Sequence, residues 1–159
     1  MYQVEQFNGT LEEKYSILNK QLASLIEGES NLIANLSNAS ALLNVFLDRV
    51  NWVGFYLVEE GELVLGPFQG LPACIRIPFG KGVCGTAAQK QETMIIEDVH
   101  KFPGHIACDA ASRSEIVIPI FKDKEVIGVL DIDSPEPARF STEEGQLLQT
   151  FVHILEKQI

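Results

Sequence analysis

Residues 103–121, PGHIACDAASRSEIVIPIF, set Cys108 in a polar run of small residues just ahead of an apolar strand. A free cysteine more often fills a core than does chemistry. Beside Asp109 and near Glu115, however, Cys108 has two readings: inert packing against the strand, or a thiol presented to whatever binds there. The chain carries two further cysteines, Cys74 and Cys84. A second group of interest closes the strand GVLDID, where Asp131 and Asp133 alternate. Both side chains therefore leave one face of the strand while Ile132 leaves the other. Glu115 opens the preceding strand of the same hairpin, so a carboxylate face can continue across to it. Solvation at a strand end is the common fate of acids, and it accounts for one of these residues more easily than for all three. Clustered carboxylates repel one another unless a cation, a proton or a hydrogen-bond donor relieves them. In NWVGFY, Trp52 and Tyr56 share one strand face with Gly54, either as core aromatics or as the apolar wall of a cavity.

Metal and nucleotide chemistry find less support. Cys74, Cys84, Cys108, His100 and His105 include no C-x-x-C or H-x-x-x-H pair, so spacing offers no metal site and none is expected. Gly80-Lys-Gly82-Val-Cys-Gly85 has the form G-x-G-x-x-G between a strand and a helix. A dinucleotide fold also needs a parallel βαβ series, whereas the neighbouring connections here are hairpins, so these glycines read as turn residues. His105 reads as a loop residue and His153 as a solvated or partly buried member of the last helix.

The elements that must position these groups follow from periodicity. Thr10-Leu-Glu-Glu13 is a capping box opening a helix with Leu11, Tyr15, Leu18, Leu22 and Leu25 at helical spacing, and Gly28 as its stop. A second helix runs from about Ser30 to Asp48. From Asn51 the period changes to two. NWVGFYLVEE and ELVLGPFQG form a hairpin about Glu60-Gly61-Glu62, ACIRIPF a further strand, and GKGVCGTAAQKQ a glycine turn entering a short helix. TMIIEDV is a short strand, followed by an irregular connection from His100 to Ser114. EIVIPIF and EVIGVLDID form a second hairpin, and Ser134-Pro-Glu-Pro137 ends the sheet. A second capping box, Ser141-Thr-Glu-Glu144, opens the last helix. The expected fold class is α+β, one domain over residues 1–159: N-terminal helices at about 10–48, an antiparallel sheet with its loops at about 51–135, and a C-terminal helix at about 141–158.

A chain of 159 residues suits one domain with a real core. Its formal charge is −10, from 22 acidic and 12 basic residues, and no lysine or arginine run occurs. That balance speaks against nucleic acid and anionic membrane as partners. The N-terminus has no basic region followed by an apolar one, and the apolar runs are too short to span a bilayer. The expected location is a reducing cytoplasm, where three cysteines are thiols by default and cannot form a closed disulfide framework.

Together GKGVCGTA, the EIVIPIF–EVIGVLDIDS hairpin and RFSTEEGQLLQTF resemble a GAF domain over essentially the whole chain. More narrowly, NWVGFY, LGPFQGLPACIRIPFGKGVCG, FPGHIACDAASRSEIVIPI and GVLDIDSP resemble the free methionine-(R)-sulfoxide reductase subfamily. The resemblance implies reduction of free L-methionine-(R)-sulfoxide by cysteine chemistry, with thioredoxin as electron donor and no metal, flavin or nucleotide cofactor. It makes Cys108 the nucleophile, Cys74 the resolving cysteine and Cys84 a third or alternative resolving thiol. Trp52, Tyr56, Glu115, Asp131 and Asp133 become the lining of the substrate pocket, with Glu115 or Asp133 as the acid. Nearby carboxylates should raise the Cys108 pKa, so acid activation of the sulfoxide should matter more than a preformed thiolate.

Two alternatives share the fold: a small-molecule-binding sensor domain and a thiol redox sensor. Neither would consume reductant on addition of sulfoxide, and no output domain is expected beside this one. The apolar terminal helices make a homodimer a further expectation.

Overall fold

The computed structural model describes residues 2–106 and 108–159. Ala107, inside the Cys108 loop, lies outside the described residues. Thr10 caps helix α1 (Leu11–Ile26), its hydroxyl oxygen accepting from the Glu13 amide at 3.2 Å and its proton going to the Glu13 carboxylate at 3.1 Å. Helix α2 (Leu32–Phe46) is shorter than expected at both ends: Asn31 caps its start, and the backbone turns extended at Leu47. The Asn31 side-chain Oδ1 accepts from the Ala34 amide at 2.9 Å.

Strands β1 (Trp52–Glu59) and β2 (Glu62–Gln69) join through Glu60 and Gly61, both at positive φ, the conformation that two-residue hairpins use. Strand β3 (Arg76–Pro78) is only three residues long, and helix α3 (Gly82–Lys90) follows the glycine turn. A short strand β4 (Met94–Ile96) leads through a single 3-10 turn (Val99–Lys101) into the Cys108 loop. Strands β5 (Ser114–Lys122) and β6 (Glu125–Ser134) turn at Asp123 and Lys124, again at positive φ, here without a glycine. Helix α4 (Thr142–Glu156) closes the chain. Its cap is half of the expected box. Ser141 accepts from the Glu144 amide at 3.0 Å, but the Glu144 carboxylate turns away to pair with Arg139 at 2.8 Å.

All strand pairs are antiparallel, in the order β3-β2-β1-β6-β5-β4. The period-two pattern sends Val53, Phe55, Ile116, Ile118, Leu130 and Ile132 to one face, where α1, α2 and α4 cover them with Leu18, Leu22, Leu43, Leu148 and Phe151. Each fully buried side chain of this size contributes about 1.5–3 kcal/mol. Phe151→Ala alone would cost about 3–5 kcal/mol. The opposite face carries Trp52, Tyr56, Val117 and Val129 beneath α3. The expected α+β architecture is therefore observed, with a third layer, α3 and its loops, over the second sheet face. Among the described residues no helix is long and apolar enough to cross a membrane.

Candidate active site

Strand register builds the site. Trp52 lies opposite Asp133, and Asp133 opposite Glu115, in one row across β1, β6 and β5. In the next row Gly54, Asp131 and Val117 stand side by side. Since alternate residues share a face, these rows bring Trp52, Tyr56, Glu115, Asp131 and Asp133 to the side that α3 covers. Gly54 is needed there: a Cβ would overlap Phe68 and come within 2.9 Å of Trp52 Cη2. Trp52 stacks between Phe68 (5.1 Å between centroids) and Tyr56 (5.9 Å).

The glycine turn sets Cys84 above this floor. Gly80 and Gly82 take positive φ, and a Cβ on Gly85 would overlap the Pro78 carbonyl. The glycines are turn and close-approach residues, as their hairpin context suggests, and they deliver Cys84 Sγ to 3.8 Å from Glu115 Oε2. Two loops complete the enclosure. Trp52 Nε1 donates to the Leu71 carbonyl at 3.1 Å and Tyr56 Oη to the Cys74 carbonyl at 2.9 Å, so the aromatic wall also holds the Cys74 loop. Asn51 Nδ2 donates to Asp109 Oδ2 at 2.9 Å and to Ser112 Oγ at 3.1 Å, which ties down the Cys108 loop. Cys74 and Cys108 are joined as a disulfide, with Cα atoms 5.4 Å apart, and Cys84 remains a buried free thiol.

Cys108, Cys84, Glu115, Asp131, Asp133, Trp52 and Tyr56 all line one cavity, and Cys74 is bonded to it through Cys108. In this disulfide form the cavity measures about 30 Å³, room for one or two waters. His105, expected only as a loop residue, also lines it, as do Asp109 and Ser112. Asp131 Oδ1 and His105 Nδ1 are buried without a hydrogen-bond partner. In sequence, the only hint that His105 lines the cavity is its place three residues before Cys108.

Burial sets the electrostatics. It pushes the Glu115 carboxyl well above the usual carboxylate range, and the neighbouring Asp131 and Asp133 push it further. Asp133 is raised well up by burial and by Asp131. Asp131 is raised by burial, with Glu115 and Cys84 holding it back. Burial, then Asp131 and Glu115, also push the Cys84 thiol well up, which suits an inert thiol better than a thiolate. Cys84, Glu115 and Asp131 bring their ligating atoms within 4.8 Å of one another. Sequence spacing could not reveal this convergence, because the three come from one helix and two strands. The donor set, one thiol and two carboxylates, suits a thiophilic cation as well as a proton or an ammonium group. Chemically, the cavity unites a sulfur engaged in a disulfide, a buried free thiol, and acids able to hold a proton.

Comparison with known proteins agrees with this description. The family model described as GAF domain matches residues 31–159. A free methionine-R-sulfoxide reductase of Escherichia coli is 54% identical over 91% of this chain and 88% of its own length. Among solved structures, the reduced form of fRMsr of Staphylococcus aureus superposes with a TM-score of 0.90 at 59% identity, covering 97% of this chain and 98% of that one. A free methionine-R-sulfoxide reductase of Neisseria meningitidis, solved in complex with its substrate, gives a TM-score of 0.94 at 44% identity, covering 99% and 95%.

Proposed function

The chain belongs to the free methionine-R-sulfoxide reductase family of GAF-domain proteins, and from that premise we propose that it reduces free L-methionine-(R)-sulfoxide to methionine at the Cys108 cavity. Cys108 is the nucleophile, Cys74 the resolving thiol, and a protein dithiol, thioredoxin, the electron donor. The observation that carries this reading is the Cys74–Cys108 bond at a cavity lined by three carboxyl groups, Glu115 and Asp131 buried and Asp133 partly so.

With the disulfide open, Cys108 Sγ attacks the sulfoxide sulfur while Glu115 or Asp133 protonates its oxygen; the hydroxyl then passes to Cys108 Sγ as the transient bond between the two sulfurs breaks and methionine leaves. The sulfoxide gains two electrons and becomes a thioether. Cys108 loses two and becomes a sulfenic acid, and its thiol proton replaces the one the carboxyl gave. Cys74 then attacks the sulfenic sulfur, the sulfur–sulfur bond forms, and the oxygen leaves as water. An external dithiol reduces the disulfide by exchange. The raised carboxyls suit this scheme, since only a protonated acid can serve the oxygen. The burial of Cys84 supports Cys74 as the resolving thiol.

Asp131 Oδ1, buried without a donor, is suited to the substrate ammonium, which also relieves the repulsion among the three acids. A peptide-bound sulfoxide lacks that charge and loses about 1.5–3 kcal/mol of binding, roughly one to two factors of ten. With the ammonium at the acids and the methyl against Trp52, one sulfoxide epimer turns its sulfur to Cys108, and family membership makes it the R epimer. The test compares free R, free S and N-acetylated R sulfoxide at equal concentration under dithiol recycling. Turnover should be confined to the free R form, and comparable rates on the acetylated form would refute the free-substrate reading.

A further inference from the structure

Among the described residues, the two most exposed large apolar side chains are Ile75 and Leu71, 67% and 65% exposed. They flank Cys74, one immediately after it and one three residues before. Their exposure follows from how the loop is anchored. The Leu71 and Cys74 carbonyls are turned inward to accept from Trp52 and Tyr56. The aromatic wall thus fixes the backbone and leaves these two side chains in water. An apolar pair held in solvent beside a partly exposed disulfide has no task in packing the fold.

We propose that Leu71 and Ile75 form the docking surface for the protein dithiol that reopens the Cys74–Cys108 bond. The partner is a small oxidoreductase whose attacking cysteine lies in an apolar surface. The inference rests on the reduction cycle above, since that cycle needs an external dithiol at every turnover. Geometry also selects the sulfur. Cys108 lines the cavity, whereas Cys74 lies outside its lining, in the loop that carries the two exposed apolar side chains. The partner's thiolate attacks Cys74 Sγ; the Cys74–Cys108 bond breaks, and Cys108 leaves as a thiolate and takes up a proton. The partner's second thiol then attacks its own mixed-disulfide sulfur and frees Cys74 as a thiol. Two electrons pass to the protein, and the partner ends as a disulfide.

The experiment measures steady-state reduction of free L-methionine-(R)-sulfoxide by the whole chain and by its Leu71→Ser/Ile75→Ser double variant. Each is recycled either by purified thioredoxin or by dithiothreitol, which needs no docking surface. The expected result is a KM for thioredoxin raised about tenfold or more in the double variant, with the dithiothreitol-supported rate unchanged. A thioredoxin lacking its second cysteine should be trapped on Cys74 of the oxidised protein, and in smaller yield on the variant. An unchanged thioredoxin KM, parallel loss with both reductants, or trapping on Cys108 would each overturn the proposal. Wild-type turnover with dithiothreitol but none with thioredoxin would sink the docking surface alone. No turnover with either reductant would instead overturn the reductase reading on which it rests.

Discussion

In the proposed cycle Cys108 and Cys74 have separable tasks, because the first must meet the sulfoxide and the second only the sulfenic acid. Cys108→Ser should lose turnover and stay folded, since a hydroxyl is a poor nucleophile towards sulfoxide sulfur. Cys74→Ser should release about one methionine per chain and then stall under thioredoxin recycling, with a dimedone adduct accumulating on Cys108. Sustained turnover in that variant would hand the resolving role to Cys84. Glu115 makes a different prediction. Burial and its acidic neighbours raise its pKa above the ordinary 4.5, so the folded chain holds a proton that the unfolded chain gives up. Stability from this group is complete below that ordinary value and is lost as pH rises towards the raised one. Glu115→Gln removes the loss. Its melting temperature relative to wild type should therefore be more favourable at pH 8 than at pH 4.5, by on the order of 2–4 °C for each kcal/mol involved. A difference that stays flat with pH would mean that the carboxyl is not held protonated.

At the level of elements, the site is a property of the β1–β6–β5 register. A one-residue slip would carry Trp52, Asp131, Asp133 and Glu115 to the helix-covered face. Gly54 guards that register and the wall above it. Gly54→Ala should cost about 1–3 kcal/mol of stability through forced shifts of Phe68 and Trp52, and should raise KM for the sulfoxide. Denaturant unfolding and steady-state kinetics on one preparation would check both. This part of the site was legible in the sequence, because strand alternation and two hairpins suffice to gather the aromatics and the acids. The approach of Cys84 to Glu115 was not, since it depends on how α3 packs across the sheet. Nor was the place of His105 in the cavity lining, since it comes from a loop with no periodicity to read. The Cys74–Cys108 bond spans 34 residues between two loops, and only resemblance to the family indicated that pairing. The ends of α2 differ from those expected because Asn31 caps the start and the backbone turns extended at Leu47, neither of which periodicity specifies.

Across the whole molecule, the sheet separates two tasks. The face covered by α1, α2 and α4 holds the main core, while the face under α3 holds the candidate site. Arg139 belongs to the first side, where it donates to Glu144 at 2.8 Å and to Asp48 Oδ1 at 3.1 Å, joining the start of α4 to the end of α2. Arg139→Ala would leave Glu144 buried without its partner, at about 3–5 kcal/mol, and should lower the melting temperature by on the order of 10 °C. The rate of sulfoxide reduction at 20 °C should hold, as measured on the folded variant. If the rate fell with stability intact, the two faces would not be independent. The central claim, that Cys108 takes the oxygen from the substrate and Cys74 takes over from it, meets its most direct test without any recycling system. Fully reduced protein is mixed with a small excess of free L-methionine-(R)-sulfoxide, quenched with acid, and analysed for methionine and for disulfides by peptide mass mapping. The account predicts about one methionine per chain, a Cys74–Cys108 disulfide, and Cys84 as a free thiol. Absence of methionine, or a Cys84–Cys108 bond in its place, would contradict it.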